Sequence, residues 1–388
     1  MRILLSIANL KIGGAQKVVL TLARELSISH EVFIYDHFPD IRNEGFVLQN
    51  LDNRIALFSI SENKFVRAVL WKINALFNKL GIENDFFGKI NKLKFQWIIK
   101  KYAIQVVGSH MFLSDYIVST SKTKKIPIVI SLHGCYEEKF ALNKNIYGKK
   151  IEEIGKRING IVYLTDKNLL PIRYVYPQVD QIPKIKLPNG IDLQHTSAVS
   201  MNENFRIISM AARCVKEKGW DIAIQAFLQL QQLLPGQKIL LRLIGDGPYL
   251  QTLKEKYSNF KNIEFTGWVE NPEMMISNSY LGILPSESES FPMVILEYLK
   301  YGIPFVSSNA GESGSILCED LVCGTVIPNE FPIERRISLY SQALLNLMQD
   351  SNLYDSYAKN AKKKVIQFSL PVVAQNYSKF LEKILSCN

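Results

Sequence analysis

Two carboxylates eight residues apart, Glu289 and Glu297, flank the run Ser290-Phe291-Pro292-Met293-Val294. Carboxylates accept hydrogen bonds from hydroxyl groups, so this pair suits a ribose or a sugar. Glu297 stands between Leu296 and Tyr298, an apolar setting in which an idle charge is costly. The plainer alternatives are a favourable charge near a helix start for Glu289 and an exposed helix position for Glu297. Upstream, Arg213 and the pair Lys218-Gly219 follow the apolar run Arg206 to Ala211. Two cations at the C-terminal edge of a strand can clamp a pyrophosphate, or they can be two solvated loop charges. Gly13-Gly14-Ala15-Gln16 separates an apolar run from a helical pattern. Bare backbone and free helix N–H groups can approach a phosphate there, or the glycines can simply make a tight turn. His133 and His110 each close an apolar run, where a histidine faces a ligand or serves the core.

The elements that must position these groups alternate between two periodicities. Arg2 to Ile7 reads as a strand, and Ala15, Val18, Val19, Leu22 and Leu26 have helical spacing after it. Apolar runs recur at Glu31 to Tyr35, Gln105 to Gly108, Ile126 to Leu132 and Gly160 to Leu164, with room for helices between them. That alternation predicts a parallel, doubly wound α/β sheet. The turn formers of Leu187-Pro188-Asn189-Gly190-Ile191-Asp192 mark a linker. A second series then begins: Arg206 to Ala211, Lys238 to Ile244, Ile263 to Thr266, Tyr280 to Leu284 and Phe305 to Ser307. Pro292 suits the first turn of a helix that Gly302 ends, and Pro371 to Leu385 is helical in pattern.

At 388 residues the chain suggests two domains, at roughly 150 residues each. The expected division is residues 1–188, residues 189–370, and a C-terminal helix, residues 371–388, packing back across the linker. Hydrophobic residues make up 47% and charged residues 21%, which excludes a disordered chain. Cys135, Cys214, Cys318, Cys323 and Cys387 are odd in number and scattered, without the spacing of a zinc site or a disulfide framework, so a reducing compartment is expected. The N-terminus reads as a first strand and not as a targeting signal, and no run approaches the ~18 apolar residues of a membrane span.

The net charge of +10 favours an anionic partner. Between Lys64 and Lys101, nine basic residues (Lys64, Arg67, Lys72, Lys79, Lys89, Lys92, Lys94, Lys100 and Lys101) meet only Glu83 and Asp85. Phe65, Trp71, Phe77, Phe86, Phe87, Phe95 and Trp97 are interleaved with them. Cationic, aromatic helices suit an anionic bilayer surface; the alternative is a core-packing helix with a solvated face. No nucleic-acid module is recognisable, so no nucleic-acid partner is expected.

Taken in order, Gly13-Gly14-Ala15-Gln16, His133, Leu187 to Asp192, Arg213 with Lys218-Gly219, Gly245-Asp246-Gly247-Pro248, Phe265-Thr266-Gly267 and Glu289 through Glu297 resemble the family 4 glycosyltransferases of the GT-B fold. The resemblance covers nearly the whole chain. It implies two Rossmann-like domains facing a central cleft, the first for the acceptor and the second for the nucleotide sugar. It implies retaining transfer of a hexosyl unit from a nucleoside diphosphate sugar, UDP by preference, with no metal or other cofactor, and the sequence has no Asp-x-Asp. By position, Gly14 approaches the donor phosphates and the acceptor, Arg213 and Lys218 hold the pyrophosphate, Glu297 takes the ribose and Glu289 the donor sugar. Ser290, Phe291, Pro292, Met293 and Val294 line the donor, Val269 meets the base, and His133 stands beside the donor sugar. Gly13, Gln16 and His110 fall on the acceptor side. The family usually has Gly where this chain has Ser290, and Asn309 to Gly314 departs from a familiar glycine-rich turn. With the basic stripe, the resemblance points to a lipid-linked saccharide acceptor in bacterial surface polysaccharide assembly, and to a cytoplasmic protein peripheral on the inner face of the membrane. The alternatives are a GT-B sugar-nucleotide epimerase and a non-catalytic binding protein on a transferase scaffold.

Overall fold

The computed structural model describes residues 1–79, 85–123, 126–194 and 205–387. The chain forms two units, Met1–Gly190 with Leu370–Asn388, and Ile191–Ser369.

The first unit is built on strands β1 (Arg2–Ile7), β2 (Glu31–Asp36), β3 (Ala56–Ser59), β4 (Val106–His110), β5 (Ile128–Leu132), β6 (Gly160–Tyr163) and β7 (Lys184–Lys186). They pair in the order β3-β2-β1-β4-β5-β6-β7, all parallel. β4 and β5 are buried along their whole length, because helices cover both faces of a parallel sheet. The C-terminal helix Leu370–Ser386 lies against the first helix, Gly14–Leu26, and contributes Val373, Tyr377, Phe380, Leu381 and Ile384 to this core. It approaches the sheet closely only because β4 carries Gly108, where a Cβ would stand 2.3 Å from the Tyr377 hydroxyl.

The second unit repeats the plan with β8 (Arg206–Ala211), β9 (Ile239–Ile244), β10 (Ile263–Gly267), β11 (Leu281–Leu284), β12 (Phe305–Ser308) and β13 (Gly324–Ile327), ordered β10-β9-β8-β11-β12-β13 and parallel throughout. Trp220, Phe227, Tyr298, Phe305 and Tyr340 are the large side chains of its core. In both sheets the winding reverses between the first and fourth strands, β1/β4 and β8/β11. Loops leaving the carboxyl ends of such a pair diverge and open a crevice, which is where ligands bind in this architecture.

The doubly wound α/β architecture expected from the sequence is therefore present. The strands that the hydrophobic pattern misses are β3, β7 and β13, all at sheet edges. They are three or four residues long, and β7 is Lys-Ile-Lys, too short and too polar to register as an apolar run.

The basic stripe forms two helices, Lys64–Lys79 and Phe86–Lys101; Glu83 lies outside the described residues. The structure corrects the stripe in two ways. Arg67 is buried, with its Nε 2.6 Å from Asp40 Oδ1, and Phe87 and Phe95 belong to the core. Phe65, Val66, Val69, Trp71 and Leu76 of the first of these helices are exposed, as are Lys64, Lys72 and Lys79. No helix among the described residues is long and apolar enough to cross a membrane.

Asp115, on the helix after β4, is fully buried and accepts a hydrogen bond from Tyr136 Oη at 2.9 Å. Burial pushes its carboxyl up to about 7, against the lowering effect of Ser109 and Tyr136. An unfolded aspartate ionises near 4, so between about pH 4 and 7 the folded state holds a proton that the unfolded state has lost. This group accordingly withdraws stability as pH rises through that window and not above it. Asn at this position keeps an acceptor for Tyr136 and cannot ionise. The melting temperature of Asp115→Asn minus that of the wild type should climb from pH 4 to 7 and then level off, with a gain of up to about 1.4 kcal/mol per pH unit. A difference that is flat with pH contradicts this assignment.

Candidate functional site

In the second unit, the turns leaving β8 and β11 are clasped together. The β8 turn carries Arg213 and ends in a single helical turn, Lys216–Lys218, before Gly219 and the helix Trp220–Leu233. Gly219 has φ +75°, and a Cβ there would lie 2.1 Å from the Pro285 carbonyl oxygen at the end of β11. Only glycine satisfies both conditions. With the backbones this close, Glu287 donates its N–H to the Glu217 carbonyl at 2.8 Å, and Lys218 Nζ reaches Glu289 Oε1 at 2.6 Å. The Lys218 and Glu289 side chains are 22% and 15% exposed, so this charge-assisted contact is partly shielded from water and stronger than a surface pair.

A third loop supports Glu289 from beyond β12. Glu312 donates its N–H to the Ser290 carbonyl at 3.1 Å, and Gly311, at φ +57°, would bring a Cβ within 2.5 Å of the Glu289 and Ser290 carbonyl oxygens. The departure from the glycine-rich pattern at Asn309 to Gly314 thus retains the glycine that the close approach requires.

Beside this clasp lies a pocket of ≈ 380 Å³. It brings Arg213, Val269, Val294 and Glu297 together, with Gly245, Asp246 and Trp268 among the other lining residues. The Arg213 guanidinium is largely exposed, 3.7 Å from Glu217 Oε1. Lys218 and Glu289 stand outside the pocket lining, in the clasp. Phe291 packs on Phe368, with ring centroids 5.9 Å apart. Pro292 immediately precedes the helix Met293–Leu299 instead of falling inside its first turn, and Gly302 follows that helix at φ +72°. Trp268 is 73% exposed at the pocket and was not singled out from the sequence. The available signal was a large aromatic directly after Phe265-Thr266-Gly267. Among the described residues, no group of three His, Cys, Asp or Glu is placed to hold a metal ion.

In the first unit, Gly13 and Gly14 open the helix Gly14–Leu26, which has no side-chain cap and no acidic residue in its first turn. Its first N–H groups are left for an anion or water. A Cβ at Gly14 would meet nothing within 4 Å. Two acceptor-side expectations are corrected. Gln16 is buried and turns inward, its Nε2 donating to Asn9 Oδ1 at 3.3 Å, because helical periodicity puts it on the core face. His110 is 1% exposed, within the end of β4, and its Nδ1 lies 3.1 Å from His133 Nε2. Burial holds both rings neutral, with His133 pushed down to about 4 and His110 lowered further by its neighbour. His133 is partly exposed and is the member of the pair able to meet a ligand. The residue after His110, Met111, adopts φ +75°, a strained conformation for a side chain of this size.

These features define a class. Residues 194–364 match the model of the glycosyl transferases group 1 family. The fold is that of the GT-B glycosyltransferases: the Anabaena protein HepE, solved with UDP and glucose, superposes with a TM-score of 0.71 over 98% of this chain and 99% of its own, at 16% identity. Relatives similar in sequence include the following two. An exopolysaccharide phosphotransferase of Streptomyces coelicolor is 26% identical over 47% of this chain, which spans only 19% of that protein's length. A Campylobacter jejuni α-1,4-N-acetyl-D-galactosaminyltransferase, named for an undecaprenol-diphosphate-linked substrate, is 21% identical over 99% of both chains.

The two glycine sites should respond oppositely to a methyl group. Gly219→Ala forces a positive φ on a side chain and drives Cβ into backbone, and should cost about 3 kcal/mol of stability or more. Gly14→Ala should leave stability within about 0.5 kcal/mol. Denaturant titration of both variants tests this, and equal stabilities would contradict the clasp.

Proposed function

We propose that this chain is a retaining family 4 glycosyltransferase that moves a hexosyl unit from a nucleoside diphosphate sugar, UDP by preference, to a lipid-linked saccharide, in bacterial surface polysaccharide assembly. The observation that carries the reading is the juxtaposition, at the β8/β11 reversal, of the Arg213–Glu297 pocket and the Lys218–Glu289 clasp. A diphosphate leaving group needs fixed positive charge more than it needs a base. Arg213 and Lys218 supply that charge, Glu297 accepts from the ribose hydroxyls, and Glu289, oriented by Lys218, accepts from the donor sugar. Val269 and Trp268 flank the base. The C1–O bond to the diphosphate breaks as the acceptor hydroxyl adds on the same face, and the departing diphosphate takes the hydroxyl's proton. No metal is required in this account.

The lipid-linked acceptor places the protein on the inner face of the cytoplasmic membrane. The helix Lys64–Lys79 offers the surface for it: Phe65, Val69, Trp71 and Leu76 exposed beside Lys64 and Lys72, apolar area for the interface and charge for anionic lipid. The undecaprenol-linked substrate in the Campylobacter relative's name and the UDP and glucose bound to HepE support the reading.

The test is transfer from radiolabelled UDP-sugars to undecaprenyl-diphosphate saccharides in anionic vesicles. Transfer with the donor's anomeric configuration, unaffected by EDTA and reduced about 100-fold in kcat by Lys218→Ala, is expected. Phe65→Ser with Leu76→Ser should release the protein from the vesicles. Inversion, metal dependence, or an unchanged Lys218→Ala rate would each overturn the corresponding part.

A further inference from the structure

Both cations of the proposed diphosphate site stand against a carboxylate, and the two pairs differ in how much water surrounds them. Arg213 Nη2 is 3.7 Å from Glu217 Oε1, with side chains 71% and 53% exposed. Lys218 Nζ is 2.6 Å from Glu289 Oε1, and both of those side chains are largely shielded. Water and salt screen the first pair and act much less on the second. A lysine and a carboxylate at this spacing carry no net charge together. An anion arriving beside Lys218 therefore meets a dipole where a lone ammonium would draw it in. The backbone on either side of Glu289 is fixed: Glu287 donates its N–H to the Glu217 carbonyl at 2.8 Å, and the Ser290 carbonyl accepts from Glu312 at 3.1 Å. The carboxylate is thus anchored beside the lysine, with Oε1 on Lys218 and Oε2 left to accept from a hydroxyl.

We propose that Glu289 holds down the affinity of this site for a bare nucleoside diphosphate and so makes it prefer the nucleotide sugar. The inference rests on the reading of the site as one for a nucleoside diphosphate sugar, with Lys218 on the diphosphate, and gives Glu289 a task besides contact with the sugar. A bare diphosphate gains only the masked charge of Lys218 and is repelled by the carboxylate beside it. A nucleotide sugar brings hydroxyl donors to the same carboxylate, which turns a repelling neighbour into a hydrogen-bond acceptor. Both effects favour the ligand that carries the sugar, so the direction of the preference does not depend on which is larger. Once the sugar has been transferred, Glu289 again faces an anion with no donor to offer it, and the spent diphosphate leaves more readily. Glu217 has the same charge, but its exposure leaves it without this effect.

The experiment is calorimetric titration of the full chain with UDP, GDP and ADP in turn, for the wild type, Glu289→Gln and Glu217→Gln, at about 0.15 M salt. Glu289→Gln keeps the shape of the side chain and removes its charge. It should bind the diphosphate that the wild type binds about tenfold more tightly. Glu289→Ala removes the same charge without the amide and should shift the affinity in the same direction. Glu217→Gln removes an equal charge from a solvated pair and should change the affinity less than about twofold. Titrated with the glucose nucleotide of the same base, Glu289→Gln should show a smaller ratio of sugar-nucleotide to diphosphate affinity than the wild type. A diphosphate affinity that Glu289→Gln leaves unchanged or weakens, or that Glu217→Gln raises as much, overturns this proposal and leaves the nucleotide site standing. No binding of any of the three diphosphates, to the wild type or to Glu289→Gln, overturns the proposal and the reading of the site together.

Discussion

The approach of the β8 turn to the end of β11, closed by the Lys218–Glu289 contact, is the constraint on which the candidate site depends. Parallel strands that reverse their winding send their loops apart, so a crevice forms at β8/β11 for reasons of topology alone. Topology does not by itself hold charged groups in a fixed array. Gly219 does, by letting the Lys218 backbone come within reach of Pro285, and Gly311 does the same from the other side of Glu289. Once three loops share hydrogen bonds, a lysine and a carboxylate that would otherwise wander in solvent are locked at 2.6 Å. The rotamer entropy of both side chains is then lost on folding and not on ligand binding, which is the physical content of preorganisation.

The first unit solves a different problem. It buries neutral histidines and hydroxyls at the end of β4 and β5, where desolvation makes the charged forms costly and every unpaired polar atom counts. The strain at Met111 falls at the same place. The C-terminal helix, last in sequence, supplies Tyr377 to it, so the final residues of the chain bear on the N-terminal sheet.

Much of this was legible in the sequence, because long apolar runs alternating with helical periodicity leave few architectures open. Arg206–Ala211 was read to the residue, and Arg213, Val269, Val294 and Glu297 do share a pocket. What escaped has a common cause. The edge strands β3, β7 and β13 are short and half-solvated, each held on one side only by the strand before it in the chain, so their residues carry little of the apolar pattern that marks the central strands. The role of Gly311 within Asn309 to Gly314 is not legible in the sequence, because its partner, the Glu289–Ser290 backbone, is met only in three dimensions. Gln16 and His110 have the right residue types at the right offsets, yet helix phase turns one inward and strand burial encloses the other. Arg67 likewise belongs to the basic stripe by residue type, yet its pairing with Asp40 buries it.

The central claim, that the pocket beside Arg213 holds a nucleoside diphosphate, is tested most directly through Trp268, which stands exposed at that pocket. Tryptophan fluorescence of the whole protein titrated with UDP should change saturably. The change should be abolished in Trp268→Phe, while calorimetry still detects binding to that variant. A saturable change of equal size in Trp268→Phe, or no binding by either method, would contradict the account.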